Sequence, residues 1–325
     1  MILIFTIKYD ISTSDVIRWL NYYGKKVIRI NIDDDTHKLV KITADGIFLS
    51  NKKTNNIINL YDAKSCWWRR NGIGKETFTE NIDSNLIIGG FDLSSIKKDL
   101  INNETNDLKD FIYYSVYNKM DINLGSPIFN LNKLITLQIA KDIGLKTPAY
   151  EIITDTNNII EKRVTKAISN GIYKAVDNYS FYSYTELIKK NDFFSSSLKI
   201  FPSIQMELVD KIMEIRSFFI AGSFFSMAIF SQSSSQTSID FRKYNMKKPN
   251  KVEPYKLPNS VEEKLKYLFD KLNLNSGSVD MILNKNNEYV FLEINPVGQY
   301  GMVSEPCNYF LDKKIAHYLI YGRIG

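Results

Sequence analysis

Hydrophobic and polar residues follow one another along this chain in blocks that predict strands and helices in turn. The opening MILIFTI predicts a strand, STSD at 12–15 a helix start, VIRWLNYYG a helix that ends at a glycine, and KKVIRIN a second strand. This order is typical of a βαβ unit. LVKIT, GIFLS, NIINL and SCWWRR predict further short strands, and residues 92–120 predict a mostly helical segment. We place a first domain boundary near residue 125.

Beyond this boundary the same alternation continues with different elements. The amphipathic stretch NKLITLQIAKDIG predicts a helix that Gly144 closes, with Pro148 leading into the strand AYEII. An α+β block then extends to about residue 203. From Gln205 the predicted strands IQMELV and EIRSFFIAGSFFSMAIFS precede a helix over 260–272, the strands SVDMIL and YVFLEIN, and a closing helix from Cys307. SQSSSQTS at 231–238 predicts a flexible polar loop.

The strand YVFLEIN carries a carboxylate, Glu293, among apolar residues, and an isolated charge in a packed strand is costly unless something pairs with it. We expect Asn286 and Asn287 to form a two-residue hairpin turn, because Asn tolerates positive φ. This turn places Asp280 opposite Glu293, with Asn295 on the same face. Facing carboxylates with an amide oxygen suit Mg²⁺. We therefore predict a magnesium site, the simpler alternative being two solvated acids at strand ends.

Magnesium on oxygen ligands is usually shared with substrate phosphates, so the chain should also carry cations for them. It has no Walker A motif, because GIGKET at 72–77 lacks the first glycine at the required spacing, and it has no GxGxxG. Basic residues instead lie inside apolar, strand-like segments, namely Lys174, Arg216 and Arg242. Each must bind an anion or extend to solvent, and arginine can bind phosphate or carboxylate bidentately.

Composition narrows the class of protein. A length of 325 residues with 44% hydrophobic content is enough for two or three globular domains. The net charge of +6 suits an anionic ligand, but it is spread along the chain and argues only weakly for nucleic acid. Two cysteines, Cys66 and Cys307, exclude a disulfide framework and favour a reducing, cytoplasmic compartment. MILIFTI is too short for a signal-peptide core or a membrane span. The two histidines, His37 and His317, offer no Ser-His-Asp set.

Several motifs, read in order, resemble those of ATP-grasp ligases, which activate a carboxylate as an acyl phosphate and pass it to a nucleophile. They are Lys174, IQMELVDK, EIRSFF, DFR, VDMI and FLEINP. A closer resemblance, to the grasp-with-spasm and microviridin-type (graspetide) peptide maturases, is carried by WWRRNG (67–72), SMAIFSQ (226–232), DFRKYN (240–245), FLEINPVGQYGMVS (291–304) and CNYFLDKKIA (307–316). It implies an α/β ATP-grasp fold with a pre-ATP-grasp βαβ domain over 1–125, a central lid domain over 126–204 and a C-terminal antiparallel-sheet domain with the metal site over 205–325.

The resemblance assigns metal and nucleotide contacts to particular residues. The implied magnesium ligands are Asp280, Glu293 and Asn295, in agreement with the hairpin geometry. The implied ATP contacts are Lys133, Lys174 and the hinge residues Gln205, Glu207, Leu208 and Asp210. The hinge backbone would read adenine, with Glu207 or Asp210 near the ribose. One departure is the loop after Lys174, DNYSFYSY, which lacks the glycines that many ATP-grasp enzymes fold over phosphates.

The resemblance also implies the catalytic and substrate-binding residues. Arg216 would hold the transferring γ-phosphate, and Arg242 would hold the acyl phosphate or the acceptor carboxylate. Arg69 and Arg70 would bind acidic residues of the peptide, the alternative being solvated charges at a strand end.

The predicted function is that of an ATP- and Mg²⁺-dependent ligase that releases ADP and phosphate. It would activate Asp or Glu side chains of a ribosomally made precursor peptide, with leader and core, and form ester or amide cross-links. Rival interpretations are a ligase for free amino acids, one that adds glutamate to a protein tail, and a nucleotide- or RNA-binding module without chemistry. We expect no nucleic-acid or membrane partner, and a homodimer is compatible with this interpretation.

Overall fold

A computed structural model describes residues 1–70, 72–78, 85–169, 171, 173–176, 179–189, 198–243 and 245–325. It divides into two compact units, Met1–Phe129 together with Phe310–Gly325, and Asn130–Tyr309. The closing helix therefore belongs with the first unit, although the sequence grouped it with the C-terminal block. The boundaries of the three predicted domains stay a prediction.

The first unit contains the predicted βαβ element. In chain order, the helices and strands of the unit before its closing helix are β1 (Ile2–Thr6), α1 (Ile11–Tyr22), β2 (Val27–Asn31), β3 (His37–Thr43), β4 (Gly46–Asn51), β5 (Ile57–Asn59), β6 (Ser65–Trp68), β7 (Ile87–Ile88), β8 (Phe91–Asp92), α2 (Ser94–Lys119) and β9 (Ile122–Leu124). Strands pair in parallel in the order β2-β1-β6-β9, which confirms the βαβ prediction. β3, β4 and β5 form a separate antiparallel sheet.

Helix α1 begins one residue before the predicted STSD start. Asp10 is its N-cap, and the carboxylate of Asp10 accepts a hydrogen bond from the Thr13 backbone N–H. Capping by Asp satisfies a backbone donor that the first turn leaves unpaired. The helix ends at Tyr22, and the predicted terminal glycine, Gly24, follows the C-cap Tyr23 with φ +66°.

The second unit is built mainly from antiparallel strands. Its members are α3 (Lys133–Asp142), β10 (Tyr150–Asp155), β11 (Val164–Lys166), β12 (Tyr173–Val176), β13 (Tyr179–Tyr182), β14 (Glu186–Leu187), β15 (Lys199–Met206), β16 (Lys211–Ile220), β17 (Ser223–Phe230), β18 (Lys251–Tyr255), α4 (Asn259–Lys271), β19 (Ser276–Asn284), β20 (Tyr289–Asn295) and α5 (Gly301–Ser304). One sheet has the order β10-β15-β11-β14 and a larger one the order β18-β17-β16-β19-β20. The chain ends with α6 (Leu311–Tyr321), in the first unit.

One face of the five-stranded sheet packs against α3 and α4. Alternate residues of β16, including Ile215 and Phe219, join Leu268 and Phe269 of α4 in this core. Because side chains alternate across a strand, Arg216 lies on the opposite face from Ile215. The sheet thus buries an apolar face and leaves the other face to carry polar side chains.

None of the helices in the described ranges is both long and apolar enough to cross a membrane.

Candidate functional site

The hairpin that joins β19 to β20 has a different turn from the predicted one. Its loop is the three residues 285–287, since the backbone N–H of Asn284 donates to the Glu288 carbonyl (3.0 Å) and Asn287 has φ +60°. The Asn284 side chain also accepts from the Glu288 N–H (2.9 Å). The predicted two-residue turn of Asn286 and Asn287 is therefore wrong.

The predicted pairing of the two carboxylates is nevertheless confirmed. Leu283 pairs with Tyr289 and Met281 with Phe291, but Asp280 pairs with Glu293, so Leu292 is an extra residue. This β-bulge shifts the register by one and aims Glu293 at the same face as Asp280. Bulges are common beside active sites, where they redirect a side chain.

Three charged residues form a row across β16, β19 and β20. Arg216 lies directly opposite Asp280, which lies opposite Glu293. The Nη1 atom of Arg216 donates to both carboxylate oxygens of Asp280, at 3.0 Å each. Arg216 is only 4% exposed, so its charge is compensated here mainly by Asp280. The row brings together three of the residues that the sequence singled out.

Two lysines are the partners of Glu293. The Oε2 atom of Glu293 lies 3.1 Å from the Lys166 Nζ and 3.4 Å from the Lys133 Nζ. Lys133 is placed here because Asn132 caps α3, accepting from two backbone N–H groups (3.0 and 3.2 Å). Lys133 also donates to the Ala167 carbonyl (2.9 Å). The cations that compensate the strand carboxylate therefore come from α3 and β11.

Lys166 was not singled out from the sequence, which named Lys174 among the expected ATP contacts. Lys166 ends the short strand β11, in which Val164 is buried. Alternation along RVTK places Lys166 on the same face as Val164, and this was the available signal in the sequence. Lys174 lies in β12, but its side chain is outside the described part of the chain.

The pKa values of the cluster show opposing effects. Burial raises the pKa of Asp280, and Arg216 offsets this only in part. Burial also disfavours the charged form of Glu293, but Lys166 and Lys133 outweigh it and hold the pKa of Glu293 below its usual value. Burial and the charge of Lys166 lower the pKa of Lys133. Such divergence is expected for two carboxylates on one face that compete for nearby cations.

The donor set fits a magnesium ion that is bound together with phosphates. No group of three His, Cys, Asp or Glu side chains suited to a metal occurs in the residues that the structure describes. Asp280 and Glu293 provide two carboxylates, and Asn295 follows on the same face, with its Oδ1 accepting from the Val297 N–H (3.1 Å). Mg²⁺ is commonly held by one or two carboxylates, with the rest of its shell from phosphates and water.

A cleft of about 760 Å³, partly open to solvent, extends from this cluster within the second unit. Its apolar wall includes Pro148, Val164, Met206, Leu208, Ile282 and Leu292. Its charged end includes Lys166, Arg242, Asp280 and Glu293. The separation of an apolar wall from a charged end is typical of a site for a ligand with one charged end.

The predicted hinge residues divide into two groups. Glu207 and Leu208 line the cleft, and among the described residues the backbone groups of Leu208 have no hydrogen-bond partner. Gln205 is fully buried, and its amide bonds Glu151 and two backbone groups. Asp210 has a 75% exposed side chain, 3.4 Å from Lys285. Neither Gln205 nor Asp210 is among the residues that line the cleft.

Arg242 is held at the cleft by Asp240, a residue to which the sequence analysis gave no role. Its Nε and Nη2 atoms donate to the two oxygens of Asp240, at 2.9 and 2.6 Å. Asp240 also accepts from the Thr185 N–H (3.0 Å). Burial alone would raise the pKa of Asp240, but Arg242 outweighs it and the pKa is lowered. These two hydrogen bonds fix the guanidinium of Arg242 beside the charged end of the cleft.

The two arginines of the WWRR motif lie in the first unit, beside Asp10. Arg69 is 2% exposed, and its Nε donates to the Asp10 Oδ2 (3.1 Å). The Arg70 Nε donates to the same oxygen (3.2 Å), and its side chain is 31% exposed. Arg69 thus has a structural partner at the N-cap of α1, and Arg70 is the more accessible of the pair.

Solved structures similar to this chain share its fold along nearly its whole length. The macrocyclase MdnC of Microcystis aeruginosa, bound with precursor peptide MdnA, is 22% identical, with a TM-score of 0.74 over 99% of this chain and 100% of that one. A RiPP-associated ATP-grasp ligase of Chryseobacterium gregarium, in complex with ADP and a leader and core peptide, is 22% identical, with a TM-score of 0.72 over 98% and 96%.

A third similar structure is the ATP-grasp ligase PsnB complexed with minimal precursor, Mg and ADP. It is 12% identical, with a TM-score of 0.65 over 98% of this chain and 97% of that one. No protein-family model matches the chain, and no curated protein matches it. The chain therefore has the ATP-grasp fold that the sequence predicted.

Proposed function

We propose that this protein is an ATP-dependent ligase that cross-links side chains of a ribosomally made precursor peptide. The row of Arg216, Asp280 and Glu293, compensated by Lys133 and Lys166 at the charged end of the cleft, carries the proposal. The whole-chain likeness to ATP-grasp ligases that hold precursor peptides supports it.

The nucleotide is proposed to occupy the cleft with its base at the apolar wall. The unpaired backbone of Leu208 supports adenine recognition there, and Glu207 is the better of the two ribose candidates because it lines the cleft. The phosphates would then reach Lys133 and Lys166, with Lys174 as a further predicted contact. Asp280, Glu293 and Asn295 would hold Mg²⁺, which, when bound, neutralises the charge of the transferring phosphate.

The proposed chemistry has two steps that require no enzyme nucleophile. An oxygen of a peptide carboxylate attacks the γ-phosphorus and ADP leaves, while Arg216 stabilises the charge on the transferring group. A hydroxyl or amine of the same peptide then attacks the carbonyl carbon and phosphate leaves. Arg242, fixed by Asp240, would bind the acyl phosphate or orient the carboxylate.

The residues that bind the peptide, the assembly and the location of the protein are separate predictions. Arg70 can still offer its guanidinium to an acidic residue, whereas Arg69 is buried against Asp10. The three similar structures, each in complex with a precursor or with a leader and core peptide, support a peptide as the substrate class. A homodimer and a cytoplasmic location stay predictions.

The test is the intact mass of a candidate peptide encoded beside the gene and rich in Thr, Ser and acidic residues. Each ring removes one water, so incubation with ATP and Mg²⁺ should lower the mass by about 18 Da per ring, with one ATP split for each. An increase by amino-acid residues would support tail addition instead. ATP splitting only with free amino acids would support a small-molecule ligase, and no splitting with any acceptor would support a binding module.

A further inference from the structure

Two buried side-chain atoms beside Asp280 have no hydrogen-bond partner among the described residues. They are the Nε of Arg216 and the hydroxyl of Ser278, and both residues are at most 4% exposed. Ser278 precedes Asp280 by two positions on β19, so the two side chains share a face. The hydroxyl of Ser278 therefore lies on the same face as the carboxylate cluster.

The strand neighbours of Ser278 explain why its hydroxyl is unpaired. On β20 its direct partner is Asn295, whose side-chain oxygen accepts from the Val297 N–H and not from Ser278. On β16 its partner is Phe218, whose side chain offers no hydrogen-bond acceptor. The turn after β20 covers the Phe218 ring, because Gly298 packs against it. A Cβ on Gly298 would lie 2.8 Å from the Phe218 ring.

An unpaired buried hydroxyl destabilises a fold, and in native structures it usually has a ligand or bound water as partner. Ser278 and Asn295 form one pair across β19 and β20, and Asp280 and Glu293 form the next pair on the same face. Four oxygen-bearing side chains thus occupy adjoining positions. A water between the two pairs would satisfy the hydroxyl.

We propose that Ser278 is a positioning residue of the magnesium site, with its hydroxyl bound to a water of the ion's shell beside Asp280 and Asn295. The inference rests on the proposed function. Mg²⁺ retains several waters when carboxylates bind it, and outer partners of this kind change metal affinity about 10–100-fold. Neither the sequence motifs nor the hairpin geometry had given Ser278 a role.

The test compares Ser278→Ala with Ser65→Ala by thermal unfolding with ADP over a range of Mg²⁺ concentrations. Ser65 is a matched control, because it is 1% exposed, lies in β6 of the other unit, and has a hydroxyl that is equally unpaired among the described residues. Both variants should unfold at or above the wild-type temperature without ligand. Only Ser278→Ala should raise the Mg²⁺ concentration for half-maximal stabilisation by ADP, by about tenfold.

An unchanged Mg²⁺ midpoint in Ser278→Ala would overturn the inference, and so would an equal shift in Ser65→Ala. If Ser278→Ala does not fold, Ser278→Cys keeps the size and weakens the donor, and we expect a shift of the same sign. A wild-type protein that Mg²⁺ and ADP do not stabilise would contradict the proposed function itself, which separates the two failures.

Discussion

Glu293→Gln is the substitution that distinguishes the two roles of Glu293, as a ligand of the metal and as the partner of two lysines. Glutamine keeps the size of the side chain but removes the negative charge that Lys133 and Lys166 share at 3.4 and 3.1 Å. The side chains of these lysines are only 14% and 13% exposed, so water replaces the lost charge poorly. The substitution should therefore affect both stability and ligand binding.

The effect on stability follows from the two distances. At an effective dielectric constant of about 20, each contact supplies about 5 kcal/mol of attraction, most of which offsets the burial of the lysines. Asp280 also loses a like-charged neighbour, which favours the variant. We expect a net loss of about 1–3 kcal/mol in the free energy of unfolding. For a unit of this size the melting temperature should fall by about 2–12 °C.

The effect on binding has the opposite sign when metal is absent. In the wild type, a phosphate of ADP must compete with the Glu293 carboxylate for Lys133 and Lys166. In the variant this competition is absent. Calorimetry without metal should therefore show ADP binding at least as tight as in the wild type. Added Mg²⁺ should no longer tighten it, and cross-linked product should not form, because a carboxylate ligand has been lost.

Glu288→Gln is the matched control on the same hairpin. Glu288 pairs with Lys146 and its side chain is 43% exposed, so its loss should barely change the free energy of unfolding and should leave the Mg²⁺ dependence unchanged. If Glu293→Gln kept the wild-type gain in ADP affinity on adding Mg²⁺, the assignment of Glu293 to the metal would be wrong.

Three further substitutions test separate parts of the structure. Lys166→Met should weaken ADP binding about 10–100-fold, since a charge-assisted bond to phosphate is lost; unchanged affinity in calorimetry would return the role to Lys174. Arg242→Ala should slow cross-linking far more than it weakens ADP binding, and equal losses would move this residue to the nucleotide. Gly72→Ala should lower the melting temperature strongly, because the added Cβ would lie 2.5 Å from Phe5 at φ +72°. Gly24→Ala, at φ +66° in open space, is its control and should cost only about 1 kcal/mol.

Much of the fold could be predicted because local patterns agree with it. The capping residue and the terminal glycine delimit α1, and Asn132 with Gly144 delimits α3, so the position of Lys133 followed from sequence. Period-two alternation placed Asn295 on the same face as Glu293. These features depend on neighbours in the chain, which a single sequence contains.

Features that depend on distant partners could not be predicted in this way. Lys166 meets Glu293 only through the packing of separate sheets, and alternation along RVTK does not show which partner that packing supplies. Arg69 seemed available to a substrate, but Asp10 lies 59 positions away and caps a helix beside it. A charged side chain in a motif does not reveal whether a buried partner already holds it.

The pairing of Asp280 with Glu293 shows how the cost of burying a charge can determine register. With the three-residue turn alone, Leu292 would face Asp280 and Glu293 would lie opposite Val279, on the face that packs in the core. Burying that carboxylate without a partner would cost several kcal/mol, whereas a bulge leaves only one residue out of the ladder. The extra residue, Leu292, instead lines the apolar wall of the cleft. The pairing of Asp280 with Glu293 can thus be predicted even where the turn is predicted wrongly. The carboxylate of Glu293 can lie on the polar face of the sheet but not on the face that packs in the core.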